Sequence, residues 1–159
     1  CDQEGVAVES VIEKLVGQGF IFHGSDRRIE KLEPRRGHDM RRASGRLEAV
    51  YATDQPSIAI FRSIISRKRA RDLKPSGGLG TSWSLDGSDK KFTASPAFKE
   101  TLGEGYVHIF PKSDFKPVLG RDRDIKNPVE FITRKEVAPA AIIKVRPEDF
   151  LYEIGEFEE

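Results

Sequence analysis

From residue 105 onward, the apolar residues of this 159-residue chain come in short runs, each closed by Pro, Gly or a charged cluster. GYVHIF (105–110), VEFIT (129–133), AAIIKV (140–145) and FLYEI (150–154) are five or six residues long. Runs of that length, rich in β-branched and aromatic residues, read as strands. The helical patterns come earlier and do not alternate with them. That order predicts an α+β fold with a mostly antiparallel sheet or split sandwich, and argues against a doubly wound parallel sheet.

The first helical pattern is Val8 to Val16. Val8, Val11, Ile12, Leu15 and Val16 form one stripe at helical spacing, and Gly17 and Gly19 stop it. FIFHGS (20–25) reads as a strand running into a Gly-Ser turn, with Phe20 and Phe22 on one face and Ile21 and His23 on the other. Residues 26–48 are polar and arginine-rich, which predicts a long loop with a short helix around Ile29 to Leu32. AVYAT (49–53) reads as a strand. Asp54 is then the expected N-cap and Pro56 the first turn of a helix running to about Arg71. Ile58, Phe61, Ile64 and Ile65 are its buried stripe, and RKRAR ends it where cations suit the dipole. LKPSGGLGTSWSLDGS (73–88) reads as a glycine- and serine-rich loop. PSGGLG within it lacks the Lys-Ser/Thr of a P-loop.

At 159 residues the expectation is a single domain over 1–159, able to bury a core without staples. The sole cysteine, Cys1, excludes an internal disulfide framework and a cysteine zinc site. His38 and His108 have no metal-ligand partners at recognisable spacing, so no metal is expected. No run approaches the roughly 20 apolar residues of a membrane span, so no membrane partner is expected either. The absence of an initiator Met suggests a trimmed chain or a fragment of a longer one. With no visible signal peptide, the expected location is cytoplasmic, or outside the cell as a secreted effector.

Lys and Arg number 27 against 26 Asp and Glu, a formal net charge of +1. A near-neutral total argues against a dedicated nucleic-acid binder. The distribution is uneven, however. Residues 26–75 carry a net of +7 and the remainder −6, with six acids and no base in the last twelve residues. Opposed blocks can place a positive surface where a compact anion docks, although ordinary solvated faces would look the same.

Three short pieces carry chemistry: His23-Gly24-Ser25 at a strand end, Val50-Tyr51-Ala52-Thr53 leading into a helix, and Glu130-Phe131-Ile132 on a late strand. Each has an ordinary structural reading, as a turn or packing His, a core Tyr and an edge carboxylate. In this order, over roughly residues 20 to 145, they resemble the ADP-ribosyltransferases. The likeness is to the branch with a His-Tyr-Glu signature, which includes diphtheria toxin and the poly(ADP-ribose) polymerases. The resemblance implies an ADP-ribosyltransferase-like split antiparallel β-sandwich with early helices. It also implies NAD as substrate, and a mono-ADP-ribosyltransferase or NAD glycohydrolase releasing nicotinamide. Glu130 would stabilise the oxocarbenium character at the ribose carbon. Tyr51 would stack on nicotinamide. His23 would meet a ribose hydroxyl, and the Gly24 backbone would hold the carboxamide. Ser25 would add a hydroxyl, and Arg35 and Arg36 would meet the pyrophosphate.

The chain departs from the family pattern in two places. IAIFRSIISRKRAR lacks the second Tyr that sandwiches nicotinamide, leaving Phe92 or Trp83 for that part, with Phe61 expected to pack. Pro128 and Val129 precede Glu130, so the Glu-x-Glu pair of arginine-modifying toxins is missing and arginine is disfavoured as acceptor. The acceptor, protein or nucleic acid, is not named by the residues. Two other readings stand beside this one. An RNA 2′-phosphotransferase of the same fold would use the basic block 26–75. A non-catalytic module would bind an acidic partner through Arg62 to Lys74.

Overall fold

The computed structural model describes residues 7–36, 48–86, 89–117 and 130–157. Helix α1 (Val8–Val16) buries Val8 and Ile12, as its periodicity requires. Gly17 caps it, and Gly19, at φ +88°, turns the chain into β1 (Phe20–Ser25). Then come β2 (Arg35–Arg36), β3 (Glu48–Thr53), α2 (Pro56–Ile64), α3 (Arg67–Leu73), β4 (Thr81–Asp86), β5 (Asp89–Ala94) and α4 (Pro96–Glu100). The remaining elements are β6 (Gly105–Pro111), β7 (Lys116–Pro117), β8 (Glu130–Thr133), β9 (Ala141–Val145) and β10 (Ile154–Glu156). The fold is α+β with mostly antiparallel sheets. The large sheet has the order β7-β8-β3-β1-β6-β9, with β2 joined to β3, and each of its pairs is antiparallel. A second sheet has the order β10-β5-β4, in which β10 runs parallel to β5.

Helix α2 joins the two sheets. Its sequence PSIAIFRSI is apolar on nearly every side, which suits a helix enclosed in a core. Ala59, Ile60 and Ile64 pack with Phe22, Val107, Ile109 and Val145 of the large sheet and with Val8 and Ile12 of α1. Ile58 and Phe61 pack with Phe92 and Ala94 of the small sheet and Ala97 and Phe98 of α4. Each buried Ile or Phe contributes about 2 kcal/mol. The far face of the large sheet has its own core of Ile21, Val50, Ala52, Phe110, Phe115 and Phe131. Two glycines let α2 approach the large sheet. A Cβ on Gly24 would fall on the carbonyl oxygen of Ala59, and one on Gly105 on that of Ser63.

Several expectations are corrected. Gln55, not Asp54, is the N-cap of α2, and it makes no side-chain cap bond. The helix does not run on to Arg71. Ile65 is extended, and Ser66 starts α3 as its N-cap, accepting the Arg69 N–H at 3.2 Å and donating to Asp26 Oδ2 at 2.6 Å. A capping serine anchored to the end of β1 thus outcompetes one more helical turn. Ile29 to Leu32 form no helix. Leu32 instead exchanges backbone hydrogen bonds with Val137, at 2.8 and 3.0 Å, and is buried. The expected loop 73–88 contains β4, which pairs with β5 from Thr81↔Ala94 to Asp86↔Asp89. Of FLYEI only Ile154 lies in a strand, while Phe150 and Tyr152 set their rings against Phe92. Among the described residues no helix is long and apolar enough to cross a membrane.

Ser57 Oγ, fully buried in α2, has no hydrogen-bond partner among the described residues. Two one-atom changes on this interface should therefore act in opposite directions. Gly24→Ala should destabilise by roughly 2–3 kcal/mol or more, since backbone lies where the methyl must go. Ser57→Ala should stabilise by about 1 kcal/mol, by removing an orphaned hydroxyl. Urea unfolding of both variants at pH 7.5 checks the pair of signs.

Candidate active site

Ladder geometry decides which side chains share a face. Tyr51 pairs with Ile132 and Thr53 with Glu130, so Tyr51, Thr53, Ile132 and Glu130 stand on one face of β3 and β8. The alternate residues Val50, Ala52 and Phe131 are buried in the core behind them. Tyr51, Ile132 and Glu130 are only partly buried. A phenol, an aliphatic side chain and a carboxylate therefore share a partly open stretch of sheet.

His23 reaches this stretch differently. β1 follows β6 from Phe20↔Pro111 to Ser25↔Tyr106, but it pairs with β3 at Phe22↔Thr53 alone. Phe22 shares the Thr53 face, so His23 starts on the opposite one, across from His108. Its ring lies at the seam between β1 and β3, and Nδ1 donates to the Tyr51 carbonyl oxygen at 2.6 Å. A carbonyl only accepts, so Nδ1 carries the proton and a neutral ring leaves Nε2 as acceptor. Burial, above all, lowers the His23 pKa from 6.5 to about 4. The bond to Tyr51 opposes that shift, while His108 and Arg62 add to it. The imidazole is thus neutral at physiological pH.

The other expected residues have varied surroundings. Gly24 has its open side filled by Ala59 and Ser63 of α2, so helix packing is what requires the glycine. Ser25 Oγ accepts the Arg27 N–H at 3.2 Å, closing the turn after β1. Arg35 and Arg36 pair through their backbones with Ala49 and Glu48, at the opposite end of β3 from Thr53. Phe61 and Phe92 are buried in the core shared by α2 and the small sheet, and Trp83, partly buried, packs on the same cluster. Among the described residues no group of three or more His, Cys, Asp or Glu could hold a metal ion.

Three residues join the site that the motifs did not identify. His108 is fully buried, with its ring 5.9 Å from that of His23 at 62°. Its position in GYVHIF, alternating with Tyr106 and Phe110 toward a core face, was the available signal. Arg28 and Arg62 bring positive charge to the histidine pair: burial first lowers the His108 pKa and Arg28 adds to it, as Arg62 adds to the shift of His23. Arg28 is itself paired with Glu30. No family model, curated protein or solved structure matches the chain.

The His23 shift makes stability depend on pH. The folded state holds the ring neutral down to about pH 4, whereas the unfolded chain takes up a proton near 6.5. Stability is complete above the unfolded value and falls as the pH drops through this window. His108 acts in the same direction. Between pH 7.5 and 4.5 the His23 contribution should cost on the order of 2–3 kcal/mol. Denaturant unfolding across that range should show a shallower slope for His23→Gln than for the parent; equal slopes would contradict the assignment.

Proposed function

We propose that the chain cleaves NAD⁺ as an ADP-ribosyltransferase-type enzyme, passing ADP-ribose to an acceptor or to water. The observation that carries this reading is the presence of Tyr51 and Glu130 on one partly open sheet face, with His23 fastened across the seam to the Tyr51 carbonyl. Three motifs far apart in sequence lie on the neighbouring strands β1, β3 and β8. The early helices and mostly antiparallel sheets suit the split β-sandwich of that family.

The chemistry follows from these side chains. As the bond between nicotinamide and ribose C1′ breaks, its electron pair returns to the pyridine nitrogen and neutralises it. Positive charge then develops on the ribose, and the Glu130 carboxylate offsets it. The Tyr51 ring offers a flat face to the leaving nicotinamide. The Nε2 lone pair of His23 accepts from a ribose hydroxyl. Arg28 and Arg62 give the site a positive field suited to a pyrophosphate. The new bond to C1′ forms from an oxygen or nitrogen of the acceptor, which gives up its proton.

One observation favours a second reading. Arg67 lies over the Phe98 ring at 5.7 Å, and its pKa is lowered first by burial, then by Arg71 and Arg62. Clustered guanidinium groups suit a polyanion such as phosphorylated RNA, as a 2′-phosphotransferase or a binding module would require. Release of a cyclic ADP-ribose phosphate from 2′-phosphorylated RNA would select the phosphotransferase. Salt-sensitive RNA binding without turnover of any kind would select the binding module.

Glu130→Gln keeps the shape and removes the charge. It should reduce nicotinamide release from NAD⁺ by about 100-fold or more while leaving NAD⁺ binding within a few-fold. Nicotinamide release by chromatography and a thermal-shift titration with NAD⁺ measure the two separately. A parent protein that neither binds nor cleaves NAD⁺ would end the proposal.

A further inference from the structure

His108 has a hydrogen-bonding arrangement that a packing residue does not need. The Ile29 backbone N–H lies 2.9 Å from its Nε2, and the His23 carbonyl oxygen lies 3.1 Å from its Nδ1. A backbone N–H only donates and a carbonyl only accepts. Nε2 must therefore carry the lone pair and Nδ1 the proton. The opposite tautomer would set two N–H groups against each other at Ile29 and two lone pairs against each other at His23, inside a fully buried site. Both ring nitrogens are thus committed, one to the segment after β1 and the other to the main chain of the residue that carries the candidate imidazole.

His23 repeats the arrangement one strand over, with its own Nδ1–H held by the Tyr51 carbonyl. The two rings meet edge to face. We propose that His108 is a positioning residue for His23, fixing its backbone and ring so that Nε2 is presented as a hydrogen-bond acceptor. A ligand group meeting His23 must then be a donor, such as a sugar hydroxyl, and not a bare phosphate oxygen. The kinetic consequence rests on the ADP-ribosyltransferase reading, whereas the tautomer assignment does not.

Imidazole ¹⁵N NMR of the whole chain at pH 7.5 reads the tautomers directly. Both His23 and His108 are expected as the Nδ1–H form; an Nε2–H form at either position overturns the proposal, and that measurement requires no variant. His108→Asn and His108→Gln then separate the two bonds. The shorter Asn amide keeps a donor near the Nδ1 position facing the His23 carbonyl. Gln sets its amide near the Nε2 position, toward Ile29, and loses that donor.

With Gln, His23 should lose its single tautomer and kcat/KM for NAD⁺ should fall roughly tenfold. With Asn, His23 should keep its tautomer and most of the rate. A single unchanged His23 tautomer in both variants overturns the proposal. If the parent does not turn over NAD⁺, the functional reading fails while the tautomers still decide the role of His108. If neither variant folds, the tautomers of the parent decide it.

Discussion

The close approach of α2 to the large sheet is the constraint on which the rest of the structure depends. Gly24 on β1 and Gly105 on β6 leave no side chain between the sheet and the helix backbone, and Ser63 fills the space, its Oγ 2.7 Å from the Ala59 carbonyl and 3.1 Å from that of Tyr106. Seated that deeply, α2 turns Ala59, Ile60 and Ile64 to one sheet and Ile58 and Phe61 to the other, so one nine-residue helix belongs to two cores. Gly24 also adjoins His23. The residue that admits the helix and the residue that reaches across the seam are neighbours, so the packing of α2 fixes the strand from which His23 projects.

The seam follows from the same arrangement. β1 is committed along its whole length to β6 and meets β3 at one register pair. The imidazole of His23 supplies a further tie to β3 through a side chain. Using a titratable group there makes the junction between the two parts of the sheet sensitive to protonation, and burial is what keeps the group neutral over the ordinary range. Arg28 and Arg62 bring positive charge to the histidine pair from outside the ladder, while the Glu130 carboxylate on β8 stands beside Thr53. A neutral acceptor with guanidinium groups nearby suits a ligand that carries hydroxyls and phosphates together.

Much of this was legible in the residues. The stripe of α1 gave its bounds, since helical spacing and Gly17 agree. Alternation alone put Glu130 with Ile132 and Tyr51 with Thr53, and the ladder joins those two pairs on one face. The alternation of β4 was present too, with Thr81, Trp83 and Leu85 on one side, but serine and glycine around it resembled a loop. The break between α2 and α3 was hidden because Ile65 continues the apolar stripe; the reason for the break is the bond from Ser66 to Asp26, 40 residues away. Alternation placed His108 on a core face, but its role was hidden for the same reason, because its partner Ile29 is 79 residues distant and offers only a backbone N–H. Local pattern carries local structure, whereas the partner of a side chain recruited by distant backbone leaves no trace in that side chain's own neighbourhood.

A small polar cluster ties α1 to β5 and to the segment just before β10. Tyr152 donates to Glu9 of α1 at 2.9 Å, and Lys90 of β5 stands 3.4 Å from the same phenol. Tyr152 and Glu9 are 143 residues apart, and β10 completes the small sheet just beyond. During synthesis, α1 therefore emerges long before the tyrosine that accepts it as a neighbour. Loop closure on that scale is entropically late and slow, so α1 should be among the last of the described elements to reach full protection against hydrogen exchange.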